Sequence, residues 1–388
     1  MPFASGIPVS ADGFPRLSPS DLELPPIERA YTIPSKWYVE PSFHALDLEA
    51  VLCGSWHLVG AESQIPDPGD RMVSEAAGNP IVTVRDETGE VRAFYNICRH
   101  RGGPVATCDG TGRVLQCQYH GWTYGLDGSL RGMPRFDHVE LFDKKSFGLV
   151  PLATASWQGL IFVHLDSRPP SLTQRVSGLA EHIACANVAS MRFARKVSYD
   201  VSCNWKAYID NYLEGYHIPF VHPELAKLYD YRQYRTETYD NYSLQRAPLT
   251  PEENLYSTGG GEAFYCFIFP NIMLNILPGR MQTNVVLPLA PDKCRVVFWY
   301  YYAEIDSPAA RQKIEQDIEY SDGVQREDMM ICEHVQRGLS SRAYDRGRFS
   351  VEQEQGVYHF QSLLVAAYRD FLGQRPAARG QFPAQAQR

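Results

Sequence analysis

Two short cysteine–histidine pairs constrain this chain more than any other feature of its sequence. One residue separates Cys98 from His100, two residues separate Cys117 from His120, and sixteen residues lie between the pairs. Glycine follows each pair within a few residues, which allows the chain to turn tightly there. These spacings predict two short loops that together hold a metal centre.

The mixture of residue types within each pair favours an iron–sulfur cluster over zinc. Zinc fingers usually place two cysteines in one pair and two histidines in the other. Here each pair provides one of each, which suits a two-iron two-sulfur cluster with thiolates on one iron and imidazoles on the other. A zinc site, or buried side chains without metal, are the alternatives. Cys108, between the pairs, is predicted to be a plain buried thiol.

Hydrophobic patterning predicts an α+β protein of two domains, as expected for 388 residues. Short strands broken by Gly, Pro and Asp indicate a small all-β domain. They are 81–85, 91–95 and 160–165. Further strands and then two helices follow a linker at 167–171. These elements are strands 264–269, 282–289 and 295–303 and helices Pro308–Leu339 and 354–372.

The same patterns divide the chain into four predicted segments. They are an irregular leader at 1–40 that packs on the second domain, a cluster-binding domain at 41–166, the second domain at 167–375 and a disordered tail at 376–388.

Charge and composition exclude several classes of partner. The net charge is −8 and no long basic run occurs, so nucleic acid is not expected to bind. No apolar run approaches the 18 residues of a membrane span, so no membrane association is expected. The nine cysteines are an odd number spread along the chain, which indicates a reducing compartment and a cytoplasmic protein.

A second constellation lies at 204–225. Asn204 is expected to cap a helix that reaches residue 216 and carries Asp210, Glu214 and His217 on one face. A proline two residues after His217 ends this helix, so that the chain can turn and bring His222 back. An ordinary amphipathic surface helix is the alternative for this segment.

Asp328 completes the second constellation. It is predicted to share an apolar helix face with Val324, Ile331 and Val335. A buried carboxylate is costly unless it is paired or binds a metal. With His217 and His222 it would form the facial triad of a non-haem iron(II) site. A salt bridge to an arginine is the alternative, and Arg326 and Arg337 are the candidates.

Together the two motifs resemble those of the Rieske non-haem iron oxygenases. The family carries an acid three residues before a His-x₄-His pair, then a distant Asp with a Glu five residues later. The matching residues here are Glu214, His217, His222, Asp328 and Glu333. The runs 210–217 and 325–339 are most similar to the branch that acts on choline, betaine and carnitine. Glu214 departs from the Asp of many ring dioxygenases, and the resemblance implies the same bridging role for it.

The resemblance implies a fold, two cofactors and several partners. An all-β Rieske domain would precede a helix-grip catalytic domain, in which an antiparallel sheet curls around a long C-terminal helix. The [2Fe-2S] cluster would be held by Cys98, His100, Cys117 and His120, and a mononuclear Fe(II) by His217, His222 and Asp328. In a homotrimer, Glu214 would link His120 of one subunit to His217 of the next, with Asp210 extending this network. No nicotinamide or flavin fingerprint occurs, so a flavin- or ferredoxin-type reductase would supply electrons for reaction with O2.

The substrate is less constrained than the chemistry. The resemblance implies oxidation or N-demethylation of a small quaternary ammonium compound, and aromatic faces bind such cations. Aromatic residues on the predicted strands are candidates for this role, although core packing is the commoner role for such residues. They are Phe264, Tyr265, Phe267, Phe269 and Trp299. The alternatives are hydroxylation or O-demethylation of an aromatic acid, and a Rieske protein that only transfers electrons.

Overall fold

A computed structural model describes residues 9–10, 13–252, 255–256 and 260–373. The tail predicted at 376–388 lies outside the described residues. The first domain is all-β, and its main sheet is antiparallel with strand order β1-β10-β9-β4-β3-β2-β5. Its strands are β1 Trp56–Ala61, β2 Asp70–Ala76, β3 Asn79–Arg85, β4 Val91–Tyr95, β5 Gly110–Thr111, β6 Leu115–Gln116, β7 Thr123–Tyr124, β8 Leu130–Gly132, β9 Pro151–Trp157 and β10 Leu160–His164. The three strands predicted from the sequence here are confirmed.

The second domain is built on one long antiparallel sheet with strand order β11-β17-β16-β15-β14-β13-β12. Its strands are β11 Arg192–Val201, β12 Arg235–Thr238, β13 Tyr242–Leu249, β14 Gly261–Ile268, β15 Ile272–Leu277, β16 Arg280–Ala290 and β17 Lys293–Tyr302. The helices of the chain are α1 Lys36–Val39, α2 Pro41–Leu46, α3 Leu172–Arg175, α4 Leu179–His182, α5 Trp205–Tyr212, α6 Ile218–Val221, α7 Pro223–Ala226, α8 Pro308–Leu339 and α9 Gln355–Gly373. The mixed α+β architecture, with strands first and long helices last, is confirmed.

Both faces of the second sheet are covered, which explains why β16 is buried along most of its length. Its inner face packs on α5, α8 and α9, with Phe360 of α9 against Phe267. Its outer face packs on strands β1 and β10 of the first domain, through Trp56 and Phe162. None of the described helices combines the length and the apolar character that a membrane span requires.

The sequence predicted that the first domain begins at residue 41, but residues 41–52 pack in the core of the second domain. Phe43 and Leu46 of α2 are fully buried in the core of the second domain, where the Trp37 ring lies 5.3 Å from that of Tyr368 in α9. A buried ion pair between Asp47 and Lys206 of α5 fixes this packing. The first domain therefore begins close to Trp56, after a segment that belongs to the second.

Asp210 also joins α5 to the leader and to α9. Its carboxylate accepts hydrogen bonds from the Tyr38 hydroxyl at 2.5 Å and from the Gln361 amide at 3.3 Å. Burial raises the pKa of Asp210 to about 7, against the effect of these hydrogen bonds. The side chain therefore joins three elements of the core, and its expected part in a network with Glu214 stays a prediction.

The raised pKa of Asp210 predicts a pH dependence of stability. Between about pH 4 and 7 the folded chain retains a proton that the unfolded chain has lost, so the free energy of unfolding should fall as pH rises. Asp210→Asn should remove at most roughly 4 kcal/mol of this decline, as measured by denaturant unfolding across that interval. Asp200→Asn is the matched control, because hydrogen bonds from Arg295 and Lys293 lower the pKa of Asp200 to about 2. An unchanged slope in Asp210→Asn would contradict the prediction.

Candidate metal centres

Two loops of the first domain carry the cysteine–histidine pairs. Cys98 lies in the loop after β4, where its backbone N–H donates to the Gly103 carbonyl at 2.7 Å. Cys117 lies between β6 and β7, where its N–H donates to the Trp122 carbonyl at 2.9 Å. Both thiols are buried, and Cys98 Sγ lies 3.2 Å from the Tyr124 hydroxyl. Each loop is thus held rigidly enough to present its side chains.

The arrangement of these side chains fits a two-iron cluster. The His100 and His120 rings lie 4.7 Å apart, and Nδ1 of His100 is buried with no hydrogen-bond partner among the described residues. A Cβ on Gly103 would lie 3.1 Å from Cys117 Sγ, so the loop leaves no spare room beside the thiol. Two thiolates and two imidazoles brought together by two loops are the ligand set of a cluster with thiolates on one iron and imidazoles on the other.

Cys108 is exposed, so the prediction of a buried thiol there is wrong.

The second constellation brings His217, His222 and Asp328 together. Their ligand atoms all lie within 4.8 Å of one another. Nε2 of His222 is 3.0 Å and Nε2 of His217 is 3.8 Å from the same Asp328 oxygen. Two imidazoles and one carboxylate on one side of an open cavity form a site that could hold iron(II) and leave positions free.

The local chain path differs from the predicted long helix. Asn204 caps α5 as expected, since its side chain accepts from the Lys206 N–H at 3.0 Å, but α5 ends at Tyr212 rather than at residue 216. At Gly215 a Cβ would lie 2.8 Å from the Tyr234 ring, so the chain turns there against that ring. His217 therefore begins a new turn, α6, and His222 ends it. This break moves Glu214 and His217 off the helical face that carries Asp210.

A carboxylate lies behind each histidine of the triad. Nδ1 of His217 is 2.7 Å from Glu214, and Nδ1 of His222 is 2.7 Å from Glu327. These contacts leave both Nε2 atoms directed towards Asp328. Burial alone would lower the pKa of His222, but the Asp328 and Glu327 carboxylates raise it above its usual value. Sequence analysis missed Glu327, since nothing in the spacing indicates a contact with a residue 105 positions earlier.

Asp328 is positioned by α8 and by Asn211, whose amide donates to Oδ1 at 2.7 Å. The predicted apolar face of α8 is shifted, because Val335 is 46% exposed while the buried stripe runs through Gln325 and Cys332. Asp328 lies at the edge of that stripe. Arg326, offered as its ion-pair partner, pairs instead with Asp322 at 2.7 Å.

Glu333, five residues after Asp328, lies away from the triad. Its carboxylate accepts from the Ser202 N–H at 3.1 Å, at the turn before α5.

A cavity opens beside the triad, and His217, His222 and Asp328 are part of its lining. Among the five strand aromatics named above, only Tyr265 lines this cavity in the described structure. Phe264 and Trp299 lie in the core on the outer face of the sheet. Phe267 and Phe269 pack in the core on its inner face. Sequence analysis missed the other aromatic residues of the lining. They are Tyr208, Tyr212, Tyr234 and Phe298.

Comparisons with known proteins agree with this architecture. The Rieske [2Fe-2S] domain model matches residues 55–143, and the model of the ring hydroxylating alpha subunit (catalytic domain) matches residues 188–370. Chloroplastic choline monooxygenase of Arabidopsis thaliana is 36% identical over 87% of this chain and 83% of its own length. The carnitine monooxygenase oxygenase subunit of Acinetobacter baumannii is 31% identical over 87% of this chain and 94% of its own length.

Solved structures of the quaternary ammonium Rieske monooxygenase CntA are also similar. One, described with carnitine oxidation and inter-subunit electron transfer, is 29% identical, covers 89% of this chain and 99% of that chain, and has a TM-score of 0.82. The complex of CntA with L-carnitine has a TM-score of 0.79 at the same identity and coverage.

The fold, the paired motifs and the triad define an oxygenase subunit with two iron centres. More particularly, this chain belongs to the Rieske non-haem iron oxygenases, in the family of the ring-hydroxylating alpha subunits. It is an oxidoreductase that uses a Rieske [2Fe-2S] cluster, mononuclear iron and O2.

The contact between Glu327 and His222 predicts a role for Glu327 in holding the metal site. Glu327→Gln should lower the affinity for mononuclear iron roughly 10- to 100-fold, because the carboxylate that orients His222 is lost. Iron per chain after dialysis, with the cluster quantified separately by its absorbance, measures this effect. Glu333→Gln is the matched control and should retain wild-type iron content, since the Glu333 carboxylate accepts from the Ser202 N–H at the turn before α5. Equal iron content in the two variants would contradict the assignment.

Proposed function

We propose that this chain oxidises or N-demethylates a small quaternary ammonium compound, with electrons from a separate reductase. The observation that carries the proposal is the chemistry of the cavity beside the triad. Four tyrosines and Phe298 line it together with the acids Glu214 and Asp328, and no lysine or arginine is among the described lining residues. Aromatic faces and carboxylates attract a cation, which favours a quaternary ammonium group in this cavity.

In this proposal the ligands are those predicted from the sequence. Cys98, His100, Cys117 and His120 would hold the cluster, and His217, His222 and Asp328 would hold the iron; when bound, these groups would supply single electrons and the reactivity towards O2. The protein contributes orientation, since Glu214 holds the ring of His217 with Nε2 facing the triad. Glu327 holds His222 in the same way, and Asn211 fixes one oxygen of Asp328.

Electron transfer between subunits of a homotrimer belongs to the same proposal. His120 is exposed, and its ring centroid lies 3.8 Å from that of the exposed Tyr119. On the second domain, Phe220 is 79% exposed, one turn after His217. Two different apolar surfaces, one near each metal centre, suit a head-to-tail ring in which Glu214 bridges His120 of one subunit and His217 of the next.

A flavin- or ferredoxin-type reductase and a cytoplasmic location complete the proposal. The first is supported by the lack of a nicotinamide or flavin fingerprint in the sequence. The second is supported by the nine cysteines, none of which forms a disulfide in the described structure.

Single turnover tests the proposed function. The iron-replete protein is reduced, and O2 is then added with one compound at a time from a panel of cholines, betaines, carnitine and aromatic acids. We expect rapid oxidation of the cluster and formation of an aldehyde product only with a quaternary ammonium compound. Asp328→Ala should keep the red-brown cluster but lose mononuclear iron and all product formation.

Two outcomes would contradict this proposal in different ways. A hydroxylated ring from an aromatic acid, with every quaternary amine inert, would overturn the substrate class. Product formation by Asp328→Ala at the wild-type rate would overturn the assignment of the triad.

A further inference from the structure

Three buried cysteines that neither metal centre uses meet in the core of the second domain, and we call them the thiol group. Cys203 lies in the turn between β11 and α5, Cys294 lies near the start of β17 and Cys332 lies on α8. Each is at most 2% exposed, and Sγ of Cys203 lies 3.9 Å from Sγ of Cys294. Buried cysteines are commonly inert, so the surroundings of these three determine whether they can react.

The contacts of Cys203 distinguish the thiol group from an ordinary buried cysteine. Hydrogen bonds with the thiols of Cys294 and Cys332 lower the pKa of Cys203 well below its usual value, against the effect of burial. The same hydrogen bonds raise the pKa of Cys294 and of Cys332. Cys266 on β14 shows the contrast, because burial raises the pKa of its thiol. Cys203 is therefore the nucleophile of the thiol group, since the thiolate is the form that attacks an oxidant.

The thiol group lies close to the cavity beside the triad. Cys332 follows Asp328 by four residues on α8, which is about 6 Å along the helix axis. Tyr208 lines the cavity, and its pKa is raised by burial and then by the nearby Asp328 and Cys332. One side chain, that of Tyr208, thus borders both the cavity and the thiol group.

The thiol group also lies at the joint between α5 and α8. The backbone N–H of Ser202 donates to Glu333 of α8 at 3.1 Å. The backbone N–H of Asn204 donates to Oε1 of Gln336, one turn further along α8, at 2.8 Å. These bonds hold the turn that contains Cys203 against the helix that carries the carboxylate of the triad. A displacement of Cys203 would therefore be transmitted to both helices that position the triad.

We infer that Cys203 and Cys294 are an oxidative modification site, which consumes hydrogen peroxide made by the enzyme itself and forms a disulfide. When no substrate is oxidised, two electrons and two protons convert O2 to H2O2. The Cys203 sulfur attacks one peroxide oxygen, the O–O bond breaks, and a sulfenic acid and one water result. The Cys294 sulfur then attacks the sulfenic sulfur, an S–S bond forms, and the hydroxyl leaves with the thiol proton as a second water. Two thiols are oxidised and one H2O2 is reduced.

The disulfide has a consequence for the iron site. An S–S bond is about 2.05 Å long, so the two sulfurs must approach each other. Cys294 is held within the sheet whereas Cys203 lies in a turn, so the turn moves towards β17 and away from α8. Turnover without substrate therefore loosens the joint of α5 and α8 until a reductant restores the thiols. This inference depends on the reduction of O2 and not on which compound is the substrate.

Peroxide mapping tests the modification site. The protein with its cluster and iron receives an equimolar amount of H2O2, and its thiols are then alkylated in denaturant and mapped by mass spectrometry. We expect a disulfide between Cys203 and Cys294 that dithiothreitol reverses, while the exposed Cys108 and Cys185 and the buried Cys266 stay reduced. Oxidation of the exposed cysteines with Cys203 still reduced would overturn the inference.

Turnover without substrate tests the source of the peroxide. The protein is reduced chemically, the excess reductant is removed, and O2 is added with catalase present to destroy peroxide in the solution. We expect the same disulfide in the wild type but not in Asp328→Ala, which lacks mononuclear iron. Its absence from the wild type, or equal amounts in both proteins, would overturn the internal source. Neither result bears on the proposed substrate, because no substrate is present.

Variants and iron content then locate the effect. Cys203→Ser removes the nucleophile, so Cys294 and Cys332 should stay reduced in both experiments. Cys266→Ser is the matched control, since it makes the same exchange at another buried cysteine of the second domain, and it should form the disulfide as the wild type does. The wild-type peptide map decides the matter even if Cys203→Ser does not fold.

Iron per chain after dialysis measures the consequence of the disulfide. The oxidised wild type should bind mononuclear iron roughly tenfold more weakly than the reduced protein, and dithiothreitol should restore the binding. Equal iron content in the oxidised and reduced proteins would overturn the link between the thiol group and the triad.

Discussion

The buried ion pair between Lys206 and Asp47 fixes the start of α5, and the triad depends on where α5 lies. Both side chains are fully buried, and Asp47 also accepts from Trp205 and from the Tyr368 hydroxyl of α9. Removing one partner of such a pair costs about 3–5 kcal/mol, because the other charge is left buried alone. From this anchor, the later turns of α5 place Tyr208 against Gln325 and Asn211 against Asp328. One short helix thus connects the core to the metal site and to the cavity beside it.

Local features of the sequence predicted much of the fold and site. The cysteine–histidine pairs, the cap at Asn204 and the limits of α8 each depend on residues close together in the chain. The features that were not predicted correctly depend on contacts between residues far apart in the chain. The early end of α5 reflects the ring of Tyr234 against Gly215, and Glu327 reaches His222 only because α8 crosses α6. Neighbouring residues of a strand face opposite sides of the sheet. Phe298 of β17 therefore lines the cavity, whereas Trp299 packs in the core of the outer face.

Each histidine of the triad contacts a carboxylate through Nδ1, but the two carboxylates come from different parts of the chain. Glu214 contacts His217 from three residues earlier in the chain, whereas Glu327 contacts His222 from α8. In both cases a carboxylate on Nδ1 selects the tautomer whose Nε2 can bind a metal. Glu214 also lines the cavity beside the triad, so one carboxylate both orients a histidine and forms part of the cavity wall.

The placement of residues 37–52 in the core of the second domain has a consequence for biosynthesis. The first domain is an insertion within the second, and its two ends are adjacent because β1 pairs with β10, with Trp56 opposite His164. A contiguous inserted segment can fold as soon as it leaves the ribosome. The core of the second domain cannot be completed until α9 has been synthesised, since Asp47 accepts a hydrogen bond from Tyr368, which lies 321 residues later in the chain. The cluster-binding loops can thus form while the iron site is still unfinished.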